Sequence, residues 1–149
     1  MTSIFAYGTL MYPEVISIIL GRPVASGGLC DAILGGYRRV AVPGRVYPTG
    51  IPSAAHQIQG KLIQNLTAAE VGLLDLYEES FYVRTPVFVL TDGGREEAFV
   101  YIDGRNPLPF AVQDWDQEVF EREYLQAFIR DLPGRWGTEI TKHQIPNPK

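Results

Sequence analysis

The stretch IFAYGTLMYPEV, residues 4–15, opens on apolar and aromatic side chains and breaks at Gly8-Thr9. A strand with one wet face would alternate polar and apolar positions; residues 3–7 do not, so they read as a strand buried on both faces. Pro13 falls where the first turn of a helix accepts it, because the missing N–H has no partner there in any case. PEVISIILG then carries apolar residues at helical spacing, with Gly21 as the C-cap. The break itself admits two readings. One is a plain strand-to-helix connection. The other is an anion site: Gly8 leaves no Cβ between the backbone amides and a ligand, and amides ahead of a helix favour a carboxylate or a developing oxyanion. The three-glycine dinucleotide fingerprint is absent, and no Gly-Lys-Ser or Gly-Lys-Thr follows.

Further along, LCDAILGGYRRVAV within 27–42 reads as a strand pair or one long strand, with Gly35-Gly36 marking a bulge or turn. PGRVYPTGIPS, residues 43–53, has three prolines and reads as a loop before AAHQIQGKLIQNL resumes as strand. Thr67 opens a helix: Glu70 three residues on completes a capping box, and Leu66 with Val71 supplies a hydrophobic staple. YVRTPVFVLT, DGG and REEAFVYID make a hairpin. DQEVFEREYLQAFIRDL is a last helix, expected to end at Pro133-Gly134, and the last dozen residues lack apolar periodicity and read as loose. Strands are consecutive more often than separated by helices. The expected architecture is therefore α+β: a mixed, mostly antiparallel sheet closing toward a small barrel, with flanking helices.

The 149 residues read as one domain, residues 1–149. A net charge of −4 without a Lys/Arg block argues against nucleic acid as a partner. Apolar runs are too short to span a bilayer, and the N-terminus lacks signal-peptide character. Cys30 stands alone, as expected of a cytoplasmic protein. His56 and His143 have no ligand-spaced companions, so no metal is expected.

LLDLYEESFYVRTPV, residues 73–87, places Glu78 and Glu79 at a helix C-terminus, where the dipole disfavours carboxylates. Glu78 lies four residues after Leu74 and seven after Val71, so it continues the apolar face, whereas Glu79 points aside. An inward carboxyl is partly desolvated and its pKa rises, as acid–base work requires; a solvated surface charge is the alternative. Tyr82 and Arg84 alternate along a strand and share a face. Arg84 suits a substrate carboxylate, a pair with Glu78, a structural ion pair or solvent. Asp75 reads as solvated. NPLPFAVQDWD, residues 106–116, reads as a loop over a pocket mouth or as surface packing of Phe110 and Trp115.

FAYGTLM followed by a Gly-containing strand, QIQGKLIQNL, and then by LDLYEESFYVRTPV resembles the gamma-glutamylcyclotransferase-like family. That group includes gamma-glutamylamine cyclotransferases and plant avirulence-induced proteins. The PTGIPSA loop, the EAFVYI strand and the C-terminal helix match in order, so the resemblance covers roughly residues 3–130. Glu79 stands where the family pattern has Gly. The resemblance implies a barrel-like fold with a cavity and a small-molecule gamma-glutamyl substrate. It implies that Tyr7, Gly8, Thr9 and Leu10 bind the gamma-glutamyl group, with Tyr82 and Arg84 beside them, and that Glu78 transfers protons. The implied reaction yields 5-oxoproline and a free amine and needs no metal or organic cofactor. The competing expectations are a non-catalytic small-ligand-binding domain on the same fold, and an interaction module using the aromatics near 107–115.

Overall fold

The computed structural model describes residues 1–142. Five strands form a closed ring: β1 (Thr2–Ala6), β3 (Pro48–Leu66), β2 (Leu29–Ala41), β4 (Tyr82–Thr91) and β5 (Gly94–Asp103), with β5 returning to β1. The β1–β5 pair is parallel; the others are antiparallel. Helices α1 (Pro13–Leu20), α2 (Ala68–Tyr77), α3 (Gln117–Val119) and α4 (Leu125–Lys142) flank the ring. None of the described helices is long and apolar enough to cross a membrane.

β1 is buried on both faces because it serves two cores. Phe5 and Tyr7 point into the barrel, against Leu34, Ile58 and Val100. Ile4 and Ala6 point out, into the layer where α1, α2 and α4 pack. Gly60 of β3 makes the crossing with β1 possible: a Cβ there would lie 2.3 Å from the Ala6 carbonyl oxygen. The Gly35-Gly36 pair is a bulge in one long strand, with Gly36 at φ 83° and the register shifting between Gly35 and Tyr37.

Two expected boundaries move. The 43–53 segment is a loop only as far as Tyr47; Pro48 to Ser53 belong to β3, and Pro48 to Pro52 pair with β2. Its prolines are tolerated because Pro48 starts the strand and Pro52 sits opposite Tyr37, where the ladder is already broken by the bulge. The last helix does not stop at Pro133. It continues to Lys142, with Leu132 and Trp136 both buried one turn apart. Proline removes one helical hydrogen bond, and burial of a tryptophan, among the largest apolar contributions available to a side chain, outweighs that loss. Of the tail expected to be loose, residues 138–142 are helical and 143–149, including His143, lie outside the described residues.

None of residues 106–116 lines the cavity that holds Glu78. The segment lies against β2 and the 42–47 loop: Asp114 bridges to Val40, and the Trp115 indole N–H donates to the Val46 carbonyl at 2.8 Å. The Arg39 guanidinium sits 5.2 Å over the Trp115 ring and donates to the Tyr7 carbonyl at 3.1 Å.

Candidate active site

β1 ends at Ala6, and the chain turns through Tyr7 and Gly8 into a single 3-10 turn, Thr9–Met11, before α1. A helical start leaves its first amides without intrahelical acceptors, and among the described residues none of the turn and loop hydrogen bonds uses the amides of Gly8, Thr9 or Leu10. Gly8 is required on packing grounds as well: a Cβ there would meet the Pro48 ring at 2.9 Å. Tyr7 is buried and its hydroxyl donates to the Tyr101 carbonyl. The Thr9 and Tyr77 hydroxyls share a hydrogen bond of 2.6 Å, which ties the turn to α2.

α2 begins with the capping box expected from Thr67 and Glu70 and ends at Glu78, the C-cap, where the backbone leaves helical geometry. The Glu78 N–H still donates to the Leu74 carbonyl, at 3.1 Å. Its carboxyl is partly buried and has no hydrogen-bond or ion-pair partner among the described residues. Burial, then the negative charges of Glu79 and Asp75, push its pKa up to about 8. The C-terminal end of the helix dipole acts in the same sense.

Glu78 and the residues from Tyr7 to Leu10 line one cavity of about 110 Å³. Tyr82 lines it too, its hydroxyl donating to the Pro48 carbonyl. Burial keeps the phenols of Tyr7 and Tyr82 well above their ordinary range, so both remain neutral donors. The remaining wall comes from Phe5, Ala6, Tyr47, Pro48, Tyr77, Glu79, Tyr101, Phe128 and Arg135. The strand-to-helix turn and the end of α2, some seventy residues apart in sequence, thus meet on one small volume.

Arg84 is placed elsewhere. Its Nε lies 3.0 Å from the Asp75 carboxylate and its guanidinium 5.1 Å over the Phe99 ring. It is the direct cross-strand neighbour of Tyr101, whose hydroxyl donates to the same Asp75 oxygen at 2.7 Å. Asp75, expected to be solvated, is exposed and at the same time a clamp point. Two strand residues hold it, and it lies one helical turn before Glu78. Arg84 and Tyr82 share a strand parity, but α2 covers only part of that face, and Arg84 meets the helix flank instead of the cavity.

The Glu79 side chain is exposed and accepts from the Tyr47 hydroxyl at 2.7 Å, which in turn accepts from Arg45 at 2.8 Å. Tyr47, Tyr77, Tyr101, Phe128 and Arg135 are cavity residues that sequence patterning does not single out. Tyr47 lies in an aperiodic loop, and Arg135 enters from the half of α4 beyond the proline that signals a stop. The one available signal is the seven-residue separation of Phe128 and Arg135, two turns on one helix face.

Residues 4–117 match the family model described as "Gamma-glutamyl cyclotransferase, AIG2-like". AIG2-like protein D of Arabidopsis thaliana is 30% identical over 135 residues, covering 87% of this chain and 86% of that protein. Protein AIG2 A of Arabidopsis thaliana is 33% identical over 131 residues, 85% of this chain and 74% of that one. A solution structure from Arabidopsis thaliana superposes with a TM-score of 0.70 at 25% identity, covering 99% of this chain and 87% of that one. A solved structure of a gamma-glutamyl cyclotransferase shares the fold, with a TM-score of 0.54 at 14% identity over 97% of this chain and 81% of that chain.

Proposed function

Since the chain belongs to the gamma-glutamyl cyclotransferase, AIG2-like family, we propose that it converts a gamma-glutamyl amine or gamma-glutamyl amino acid to 5-oxoproline and the free amine. The observation that carries this reading is an unpaired carboxyl, Glu78, sharing a small cavity with the Tyr7–Leu10 turn.

The substrate's gamma-glutamyl group occupies the cavity with its gamma-carbonyl oxygen toward the turn amides. The substrate's own alpha-nitrogen attacks the gamma-carbon, a five-membered ring closes, and the carbonyl electrons move onto oxygen. The amides of the Gly8–Leu10 turn are the donors available to that oxyanion. Collapse of the tetrahedral species re-forms the carbonyl and breaks the bond to the leaving nitrogen. The alpha-ammonium sheds one proton to become a nucleophile and a second as the ring amide forms. Glu78 relays one of them to the leaving nitrogen so that it departs as the amine, the other passes through water to that amine, and the enzyme ends as it began.

The raised pKa of Glu78 fits this double role. An alpha-ammonium group in water titrates at about 8, and Glu78 is raised to about 8 as well, so a proton passes between them at little cost in free energy. A carboxyl at its ordinary value would be too weak a base for the first transfer and too rarely protonated for the second. Holding amine against carbonyl supplies further acceleration, since well-oriented intramolecular reactions gain roughly 7–11 kcal/mol.

The test is direct. Purified protein incubated with a panel of gamma-glutamyl amines and dipeptides is expected to release 5-oxoproline, and Glu78→Gln to abolish release. Release that survives the substitution removes Glu78 from the mechanism, and no release from any member of the panel removes the reaction.

A further inference from the structure

The cavity wall holds two carboxyls, Glu78 and Glu79, and among its described residues a single cation, Arg135. A gamma-glutamyl compound is itself an anion at its carboxylate. Glu79, joined by Glu78 whenever its carboxyl is ionised, repels such a group unless a cation is set to receive it.

Arg135 has the right availability. Arg84 and Arg105, which do not line the cavity, are paired with Asp75 and Asp103, and Glu79 is engaged with the Tyr47 hydroxyl. Arg135 makes no ion pair with any carboxylate among the described residues. Its guanidinium rests 4.9 Å from the centre of the Phe128 ring, two turns earlier on the same helix and also in the wall. A stacked guanidinium keeps its N–H fork free while losing rotational freedom, which favours two-pronged carboxylate binding.

Its position is also held from within. The next residue, Trp136, is buried and packs edge-on to Tyr77 at 6.2 Å. Tyr77 shares its hydrogen bond with Thr9 of the turn. The continuation of α4 beyond Pro133 thereby sets Arg135 at the rim of the same volume that Glu78 lines.

We propose that Arg135 is a carboxylate-binding subsite of this cavity, its guanidinium receiving a carboxylate of the gamma-glutamyl substrate. The proposal rests on the gamma-glutamyl reading of the cavity. Such a substrate offers that group from two sources, the glutamyl alpha-carboxylate and, in gamma-glutamyl amino acids, the carboxylate of the departing residue.

The experiment compares Glu78→Gln protein, which retains the cavity without turnover, with the double variant Glu78→Gln/Arg135→Gln. Each is titrated calorimetrically with gamma-glutamyl-alanine and with gamma-glutamyl-methylamine. The Arg135 substitution is expected to weaken gamma-glutamyl-alanine by about tenfold or more, the loss typical of one charge-assisted hydrogen bond. Arg135→Lys in the same background is expected to recover part of it. An equal loss for gamma-glutamyl-methylamine assigns the glutamyl carboxylate; an unchanged gamma-glutamyl-methylamine assigns the departing residue's. Unchanged affinity for both compounds overturns the subsite, as does failure of either compound to bind the Glu78→Gln protein. If binding behaves as expected and wild-type protein releases no 5-oxoproline, the subsite stands and the cyclotransferase reading falls. Arg135 is exposed, so a thermal melt within about 2 °C of the parent confirms that the variant is folded.

Discussion

Glu70 and Glu78 flank the two ends of one ten-residue helix, and the fold treats the two carboxylates in opposite ways. Glu70 accepts from the Thr67 amide at 3.1 Å, pairs with Arg22, and sits at the positive end of the helix dipole. Those contacts, the Arg22 hydrogen bond first, hold its pKa below the ordinary value. Glu78 sits at the negative end, partly buried beside two further acids and without a partner among the described residues, and its pKa is raised to about 8. The helix start is built for stability. The helix end carries an electrostatic cost, the cost that the proposed proton transfer by Glu78 would put to use.

That contrast can be broken at either end. The largest effect is expected from Glu78→Gln, which should abolish detectable 5-oxoproline release, since an acid–base group contributes roughly 10²–10⁴ in rate. Glu70→Gln should leave steady-state 5-oxoproline release unchanged. Comparable losses from the two substitutions would dissolve the distinction.

Stability should respond to pH with opposite signs. The folded form of Glu78 binds its proton more tightly than the unfolded form. Its contribution is therefore present below the ordinary carboxylate pKa and lost as pH rises through about 8. Glu70 is depressed, so its contribution is present above the ordinary value and lost as pH falls through the lower folded one. Glu78→Gln is accordingly expected to be more stable than wild type at pH 9, by roughly 1–3 kcal/mol after allowance for solvent exposure. The advantage should shrink toward pH 5, as read by paired urea melts.

Thr67→Ala removes the cap that pairs with Glu70 and should cost about 1 kcal/mol, a Tm drop of roughly 3 °C for a chain of this size. Its effect on kcat/KM at a temperature where the protein is fully folded should be nil. The smallest effect sharpens the other end. Glu79→Gln removes one of the charges that raise Glu78, so the acid limb of the pH–rate profile should move to lower pH by a fraction of a unit. A limb that does not move would remove Glu79 as a cause and leave burial and Asp75.

The two helix ends also differ in how far they can be read from residue order. The Thr67–Glu70 box is legible because capping is local chemistry, complete within four residues. Glu78 can be singled out because helical periodicity places it on the apolar face. Arg84 cannot be placed in the same way, since strand parity says which side a residue faces and not what covers that side; Asp75 of α2 covers it. The Pro48–Ser53 strand is hidden by its prolines, which are permitted only because of a strand start and a bulge in the partner. The far half of α4 is hidden for a similar reason: Pro133 is a local stop signal, and burial of Trp136 against Tyr77 is a distant contact.

Residue order alone sets the succession and type of the elements, the twice-buried first strand, the glycine turn and the carboxyl at the end of α2. Each depends on periodicity, caps or backbone freedom, properties of residues within one or two turns of each other. Closure of the ring, the meeting of Glu78 with Gly8–Leu10, the Asp75 clamp and the arrival of Arg135 at the rim belong to the folded molecule. They depend on contacts between segments tens of residues apart, where packing and burial outweigh the local preferences of any one segment.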